Sequence, residues 1–211
     1  MDVPKEVNQL KNDLIWARHY LNQYKKLFLH NQKRTDLLNV TAPRFFRDIQ
    51  MMFWDEMTVS VARLMDPHIQ KANRNLSLNV LLKLAKEYEW DFENELIDLI
   101  DKSKKKSMPI IARRMKLTAH RDLPTAMGEV ELDKFGIEEI EKTLDLVGQV
   151  LNLMYLNVTN ETWSWNLIAD HDADTLVHYL KLGVVYQEMN DMEYDWKKDN
   201  ELRQNSKYYN A

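Results

Sequence analysis

Residues 137–158 read IEEIEKTLDLVGQVLNLMYLNV. Within them Ile137, Ile140, Leu144, Val147, Leu151, Met154 and Val158 recur at alternating spacings of three and four. A helix of about 3.6 residues per turn carries such positions on one face. The stretch therefore predicts a long amphipathic helix with a single apolar stripe to bury. Near the N-terminus Val7, Leu10, Leu14, Ala17, Leu21, Tyr24 and Phe28 repeat the pattern. Two stripes of this kind suit a helical bundle or a coiled-coil seam.

The composition points the same way. In 211 residues there are four glycines and five prolines, where average usage would give roughly 25 of the two together. So few turn-forming residues argue against a β-sandwich, a barrel or a glycine-looped nucleotide fold. An apolar content of 45% is that of a globular chain. With no cysteine, disulfides, thiolate metal sites and cysteine nucleophiles are all excluded. The opening MDVPKEVNQLKNDL has no secretory signal pattern. The longest apolar stretch, 49–65, is interrupted by Asp55, Glu56 and Arg63, which argues against a membrane span. The expectation is a soluble, cytoplasmic protein forming one all-α domain over 1–211, a compact bundle of about six to seven helices, with 191–211 a frayed polar tail.

Between the two long stripes the sequence predicts shorter elements. Thr41 as N-cap, with Pro43 in the first turn, opens a helix ending near Asp66, before Pro67. Its apolar residues lie nearly all round, so it reads as the central, most buried helix. A polar loop over 68–75 leads to Ser77 as N-cap of a helix through Tyr88. Asp91 caps a helix through Ile100 that dissolves into the lysine-rich 102–107. Pro109 starts a further helix, which stops before Pro124 because the residue preceding a proline avoids helical geometry. A loop runs to Gly136, and a last helix spans 174–189.

The net charge of −4 hides an asymmetry. From Lys102 to Arg121 stand Lys102, Lys104, Lys105, Lys106, Arg113, Arg114, Lys116 and Arg121, with no acid among them. A cationic block on an otherwise acidic chain is a local field that attracts phosphate backbones. Lysines after a helix end also complement its dipole and solubilise a turn. The histidine at the end of the block favours the first reading.

That end reads IIARRMKLTAHRD over 110–122. Arg113, Arg114, His120 and Asp122 together can cleave RNA without a metal. Histidine titrates near neutrality, so it can take a proton from a ribose 2′-hydroxyl or give one to the leaving oxygen. Arginine forks two hydrogen bonds onto a phosphoryl group as negative charge builds there. Asp122 is placed to fix the imidazole tautomer. On an unbroken helix Arg113 and His120 share a face and Arg114 does not. Arg114 meets His120 only if the helix unwinds near Thr118, or if the histidine belongs to another subunit. Both arginines stay open at this point.

The segment from Arg114 to Asp122 resembles the R-x4-6-H signature of the HEPN superfamily in its abortive-infection-like (AbiU-type) branch, whose motif tends to read R-[polar]-K-x-x-A-H-x-D. Arg114, Lys116, Ala119, His120 and Asp122 match it. Upstream, Ala62-Arg-Leu-Met-Asp-Pro67 and Asn75-Leu-Ser-Leu78 resemble the same branch. Met115 departs from it, since a polar residue usually follows the motif arginine. With Arg113 as that arginine, Arg114 would fill the polar slot. The resemblance implies a helical bundle that dimerises, brings two Arg/His motifs into one cleft, and acts as a metal-independent endoribonuclease in toxin–antitoxin or anti-phage systems.

Competing patterns are weaker. His120-Arg-Asp-Leu123 spells the start of a protein-kinase catalytic loop, but Met127 stands where its metal-binding asparagine belongs and there is no glycine-rich loop. None of the six histidines follows a glutamate by three residues, which closes the di-metal bundle pattern. His171 with Asp170, Asp172 and Asp174 reads as a helix start, its aspartates serving as caps and dipole partners. Trp163 and Trp165 read as packing residues rather than base-stacking ones.

The sequence therefore predicts a dimeric all-α endoribonuclease with no cofactor and no metal. His120 is the general acid/base, Arg114 the phosphate clamp with Arg113 assisting, and Asp122 the orienter. Lys104, Lys105, Lys106, Lys116 and Arg121 hold RNA backbone. The expected partners are RNA, a second copy of the chain, and an antitoxin or other defence-system protein, with no membrane. The rival from another class is a non-catalytic helical adaptor or RNA-binding module that docks a partner protein. Control by a nucleotidyltransferase antitoxin is disfavoured, because Asp122 stands where that system modifies a tyrosine.

Overall fold

The computed structural model describes residues 4–119, 121–165 and 171–192. Among them run α1 (Lys5–Phe28), α2 (Gln32–Thr41), α3 (Pro43–Met65), a hairpin of β1 (Ile69–Gln70) and β2 (Asn73–Arg74), α4 (Asn79–Glu87), α5 (Glu93–Arg113), a π-helical turn (Arg114–Thr118), α6 (Leu123–Ala126), α7 (Ile137–Thr159) and α8 (Asp172–Met192). The chain is an all-α bundle. None of these helices is long and apolar enough to cross a membrane.

Four long helices build the core. α1 packs on α3 and α7, and α5 closes the ring by packing on the same two. Both stripes read from the sequence face inward: Val7, Leu10, Leu14 and Ala17 on α1, and Ile140, Leu144, Val147, Leu151 and Met154 on α7, are fully buried. Lys25 and Lys26 stand in the last turn of α1, where the helix dipole favours cations. α7 begins with Glu139 accepting a hydrogen bond from the Gly136 backbone N–H at 3.0 Å. That bond, with a lesser contribution from Lys106, holds the Glu139 carboxyl below its ordinary range. α7 ends at Asn160, whose left-handed φ of 57° closes the last turn.

The middle of the chain departs from expectation most. α5 is one continuous helix through the lysine-rich segment, with Pro109 inside it rather than at a new start. Its buried stripe is Leu96, Ile100, Ser103, Ser107 and Ile110. Two of its five inward positions are serines, so the apolar period is hidden in the sequence. Each serine satisfies its hydroxyl on its own helix: Ser103 donates to the Leu99 carbonyl at 2.8 Å and Ser107 to the Lys104 carbonyl at 2.9 Å. Small side chains here let α5 lie close against its neighbours. Pro109 removes only one amide donor and does not break the run.

Other boundaries also move. Thr41 ends α2, a helix not expected from the sequence, and its hydroxyl bonds back to Leu37 and Leu38 carbonyls instead of capping α3. α2 is capped by Asn31, which accepts from the Arg34 N–H at 2.9 Å. α3 is not the most buried helix: Phe45, Met51 and Met52 in its first half are exposed. The polar stretch 68–75 forms the two-stranded hairpin, with Lys71 taking a positive φ at the turn. Ser77 does not cap α4 through its side chain; its Oγ is buried and unpartnered. No side-chain cap comes from Asp91, since α5 starts at Glu93 after Phe92. Between Arg114 and Gly136 lies the short α6. α8 starts two residues earlier than expected and runs to Met192, and the tail beyond it lies outside the described residues.

A second, smaller cluster seats α8. Ala173 and Val177 pack with Leu27, Leu38 and Phe46. Asp174 in its first turn pairs with Lys26 at 3.1 Å and Arg34 at 3.0 Å. The hydrogen bond from Lys26, then that from Arg34, keeps its carboxyl low. Asp174 thus serves as an anchor, whereas Asp170 lies outside the described residues. The connection carrying Trp163 and Trp165 packs on the core as expected. Gly148 on α7 is needed there, because a Cβ at that position would stand 2.3 Å from the Trp165 ring.

Candidate functional site

The upstream residues that carry the family resemblance form the joint between α3 and α4. The Asn79 side chain donates to the Asp66 carbonyl at 2.8 Å, beyond the end of α3. The Leu78 N–H donates to the Leu64 carbonyl at 2.9 Å. Asn75 closes the hairpin, its N–H donating to His68 O at 2.8 Å and its side chain to Pro67 O at 3.0 Å. These residues shape the chain; they tie the end of α3 to the hairpin and to the start of α4.

The downstream motif begins where α5 changes winding. Arg113 is the last residue of α5 and Arg114 the first of the π turn. The wider i→i+5 bonding is visible in Ala119, whose N–H donates to the Arg114 carbonyl at 2.8 Å. Single π turns of this kind occur often at functional sites. The Asp122 N–H then reaches back to the Lys116 carbonyl at 2.9 Å, so the chain folds over the end of the helix. The chain thus departs from α geometry over Arg114–Thr118. His120 lies outside the described residues.

Asp122 is fully engaged. Its carboxylate accepts from the Thr125 hydroxyl at 2.7 Å and from the Thr125 N–H at 3.4 Å, capping α6, and pairs with Lys116 at 3.1 Å. The Thr125 hydroxyl first, then Lys116, hold the Asp122 carboxyl below its ordinary value of 3.8. It stays ionised near neutrality. Its visible work is to cap α6 and close the motif loop.

The cationic block is less uniform than its sequence. Lys102 pairs with Asp98 at 2.6 Å, Lys104 with Asp101 at 3.8 Å, and Lys106 with Glu139 on α7 at 3.6 Å. Among the described residues Lys105, Arg113, Arg114 and Arg121 make no ion pair. Lys105 and Arg121 are exposed, and both arginines are half-buried. Among the described residues, the cations of the block without an ion pair are thus Lys105 within α5 and Arg113, Arg114 and Arg121 at and beyond its C-terminal end.

Arg113 faces two adjoining clefts of about 390 and 250 Å³ that share Arg113 and Trp54. The larger one reaches Leu117, Thr125 and Phe135, and the smaller one Tyr24, Gln50 and Asp55. Arg113 Nε is buried without a hydrogen-bond partner. Sequence reasoning passed over Trp54, Asp55 and Phe135. The one signal was a carboxylate, Asp55, inside the apolar run of α3. Another cleft, lined by Arg18, Lys25, Glu141 and Asp145, is held by its own ion pairs: Arg18 with Asp145, and Lys25 with Glu141 at 2.9 Å. Among the described residues, no three His, Cys, Asp or Glu side chains are grouped to hold a metal ion.

The chain is thus a helical bundle whose helix α5 changes its winding at Arg114. The AbiU2 family of HEPN domains matches residues 2–179, nearly the whole of the described fold. The chain belongs to that family, in the abortive-infection branch of the superfamily. No curated protein and no solved structure gives a match.

Proposed function

We propose that the chain is a metal-independent endoribonuclease of toxin or anti-phage defence type, with a site shared by two copies. The reading is supported by the end of α5, where Arg113 and Arg114, which form no ion pair among the described residues, stand at a π turn whose following residues fold back on it. A half-buried guanidinium that forms no ion pair is suited to a phosphate. His120 takes the proton of a ribose 2′-hydroxyl while the 2′-oxygen bonds to phosphorus. The bond from phosphorus to the 5′-oxygen breaks, and the leaving oxygen takes a proton from the imidazolium of the second copy's motif. Arg114 stabilises the charge that builds on the phosphoryl oxygens, with Arg113 assisting. Lys105 and Arg121 meet the RNA backbone first. Lys104, Lys106 and Lys116 do so on exchanging carboxylate for phosphate.

Pairing of two copies is supported by an apolar surface. Leu176, Tyr179, Leu182, Val185 and Met189 of α8 are exposed, and so are Phe45, Met51 and Met52 of α3. Phe46 packs under α8 and Trp54 lines the cleft, eight residues or about 12 Å apart along α3. Surface of this kind marks an interaction site. It also suits the adaptor reading, in which a partner protein covers the same band.

The test is cleavage in EDTA-containing buffer. Wild type should cut RNA to 2′,3′-cyclic phosphate and 5′-hydroxyl ends. His120→Ala should lose about 10²–10⁴-fold in rate, the usual worth of general acid–base catalysis. Arg114→Ala should behave similarly and Arg113→Ala more mildly. Light scattering should give a dimer. Wild type that cuts no RNA, or His120→Ala that cuts as fast, leaves the adaptor as the better reading.

A further inference from the structure

Asp55 and Arg113 both line the smaller cleft, yet they form no ion pair with each other or with any other described residue. An unsatisfied buried donor such as Arg113 Nε carries a desolvation cost that calls for a partner. Here a cation and an anion are held apart across one opening. A ligand that satisfies both must present acceptors at one edge and donors at another. Trp54 adds an aromatic surface common to both clefts, braced by Phe135 with ring centroids 5.5 Å apart and planes within 14°. Beside it the Gln50 side chain donates to the Tyr24 hydroxyl at 3.3 Å, leaving its own carbonyl oxygen as a further acceptor. Flat polar ligands that stack on aromatic or guanidinium planes and bond through their edges are nucleobases.

We propose that the cleft between Trp54, Asp55 and Arg113 is a base-binding subsite that selects guanine in single-stranded RNA. Guanine offers O6 and N7 to an arginine fork. Its N1–H and N2 amino group are two adjacent donors that a carboxylate can accept together. Adenine and cytosine each present a single amino group as donor at these edges, and uracil a single N–H. None of them matches a fork and a carboxylate at once. Arg113 immediately precedes Arg114, so a base held here sets which phosphate reaches the π turn. The proposal rests on the endoribonuclease reading for the RNA that carries the base. In it Arg113 is a specificity residue that also assists at the phosphate.

The experiment measures equilibrium binding to the full chain carrying His120→Ala, so that RNA is not consumed. The probes are 5′-GMP, AMP, CMP and UMP, followed by short RNAs that differ at one base. Guanine should bind about tenfold more tightly than any other base, within the range of a good bidentate contact. Adding Asp55→Ala should reduce that preference to about twofold or less, and Arg113→Lys should weaken it, with helical content unchanged by circular dichroism. Equal affinity for the four bases, or a guanine preference untouched by Asp55→Ala, overturns the proposal. So does a preference seen with free GMP and absent from the RNAs. Cleavage by wild type without guanine preference sinks the subsite and leaves the endoribonuclease standing. Guanine-selective binding without cleavage does the reverse.

Discussion

Helices α5 and α7 pack side by side and bury stripes of the same spacing, yet only one of them is readable. On α7 the stripe is wholly apolar and ends at Asn160 in an ordinary left-handed cap. On α5 the stripe passes through Ser103 and Ser107, tolerates Pro109, and runs into a π turn instead of a cap. The first helix is stabilised by transfer of hydrocarbon from water. The second trades part of that for small side chains, and it runs into the π turn that begins at Arg114. A helix with a wholly apolar stripe announces itself by its period, and a helix whose stripe is part serine does not.

The contrast can be broken at its strongest point. Leu144→Ala on α7 removes a fully buried side chain and should cost about 2–5 kcal/mol in a denaturant midpoint experiment. On α5 the opposite change is the damaging one: Ser107→Leu forces bulk into a close contact and should cost about 1–3 kcal/mol. Ser103→Ala should be nearly neutral, because its hydroxyl bonds only to its own helix. If Ser107→Leu stabilises the protein, the serines are not there for close packing.

Two smaller effects sharpen the comparison at the ends of the helices. Neutralising Lys105 alone should lower the slope of log affinity for RNA against log salt by about one. Lys104→Gln and Lys106→Gln should each change it less, since Asp101 and Glu139 already hold those side chains. The stability change should be small for all three. An equal drop for each lysine would mean that the ion pairs do not matter in solution. At the motif loop, the Asp122 carboxyl titrates lower in the folded chain than its ordinary value of 3.8. Its contribution to stability is then present above that value and lost as pH falls through the lower folded one. An NMR titration should find the Asp122 midpoint below 3.8 and loss of Thr125 amide protection only under more acidic conditions. A midpoint at or above 3.8 would remove the cap from the account of the loop.

Much of the molecule was legible where chemistry is local. The stripes of α1 and α7, Pro43 in the first turn of α3, the stop before Pro67 and the packing of Trp163 and Trp165 all follow from residue type and spacing. Errors cluster where a residue has two uses. Thr41 and Ser77 are good caps by composition, but one bonds back into its own helix and the other is buried without a partner. The lysines of 102–107 read as a turn because charge runs usually lie in solvent. On α5 Lys102 and Lys105 are exposed while Lys104 and Lys106 are half-buried, on a helix whose inward side here is serine. Asp55 was seen only as an interruption of an apolar run, since its distance from Arg113 in the chain conceals the cleft they share.

The sequence by itself determined the all-α class, the two principal helices and the HEPN resemblance of the chain, because period, composition and short spacing are properties of neighbouring residues. The tertiary structure alone decided that α5 is unbroken, that the helix changes its winding at Arg114, and which cations are already paired. It also placed Trp54, Asp55 and Arg113 around one opening. Those outcomes depend on which surfaces meet: Pro109 and two serines persist inside a helix only when α3 and α7 bury it, and a charge is free or spent only according to what the fold brings beside it.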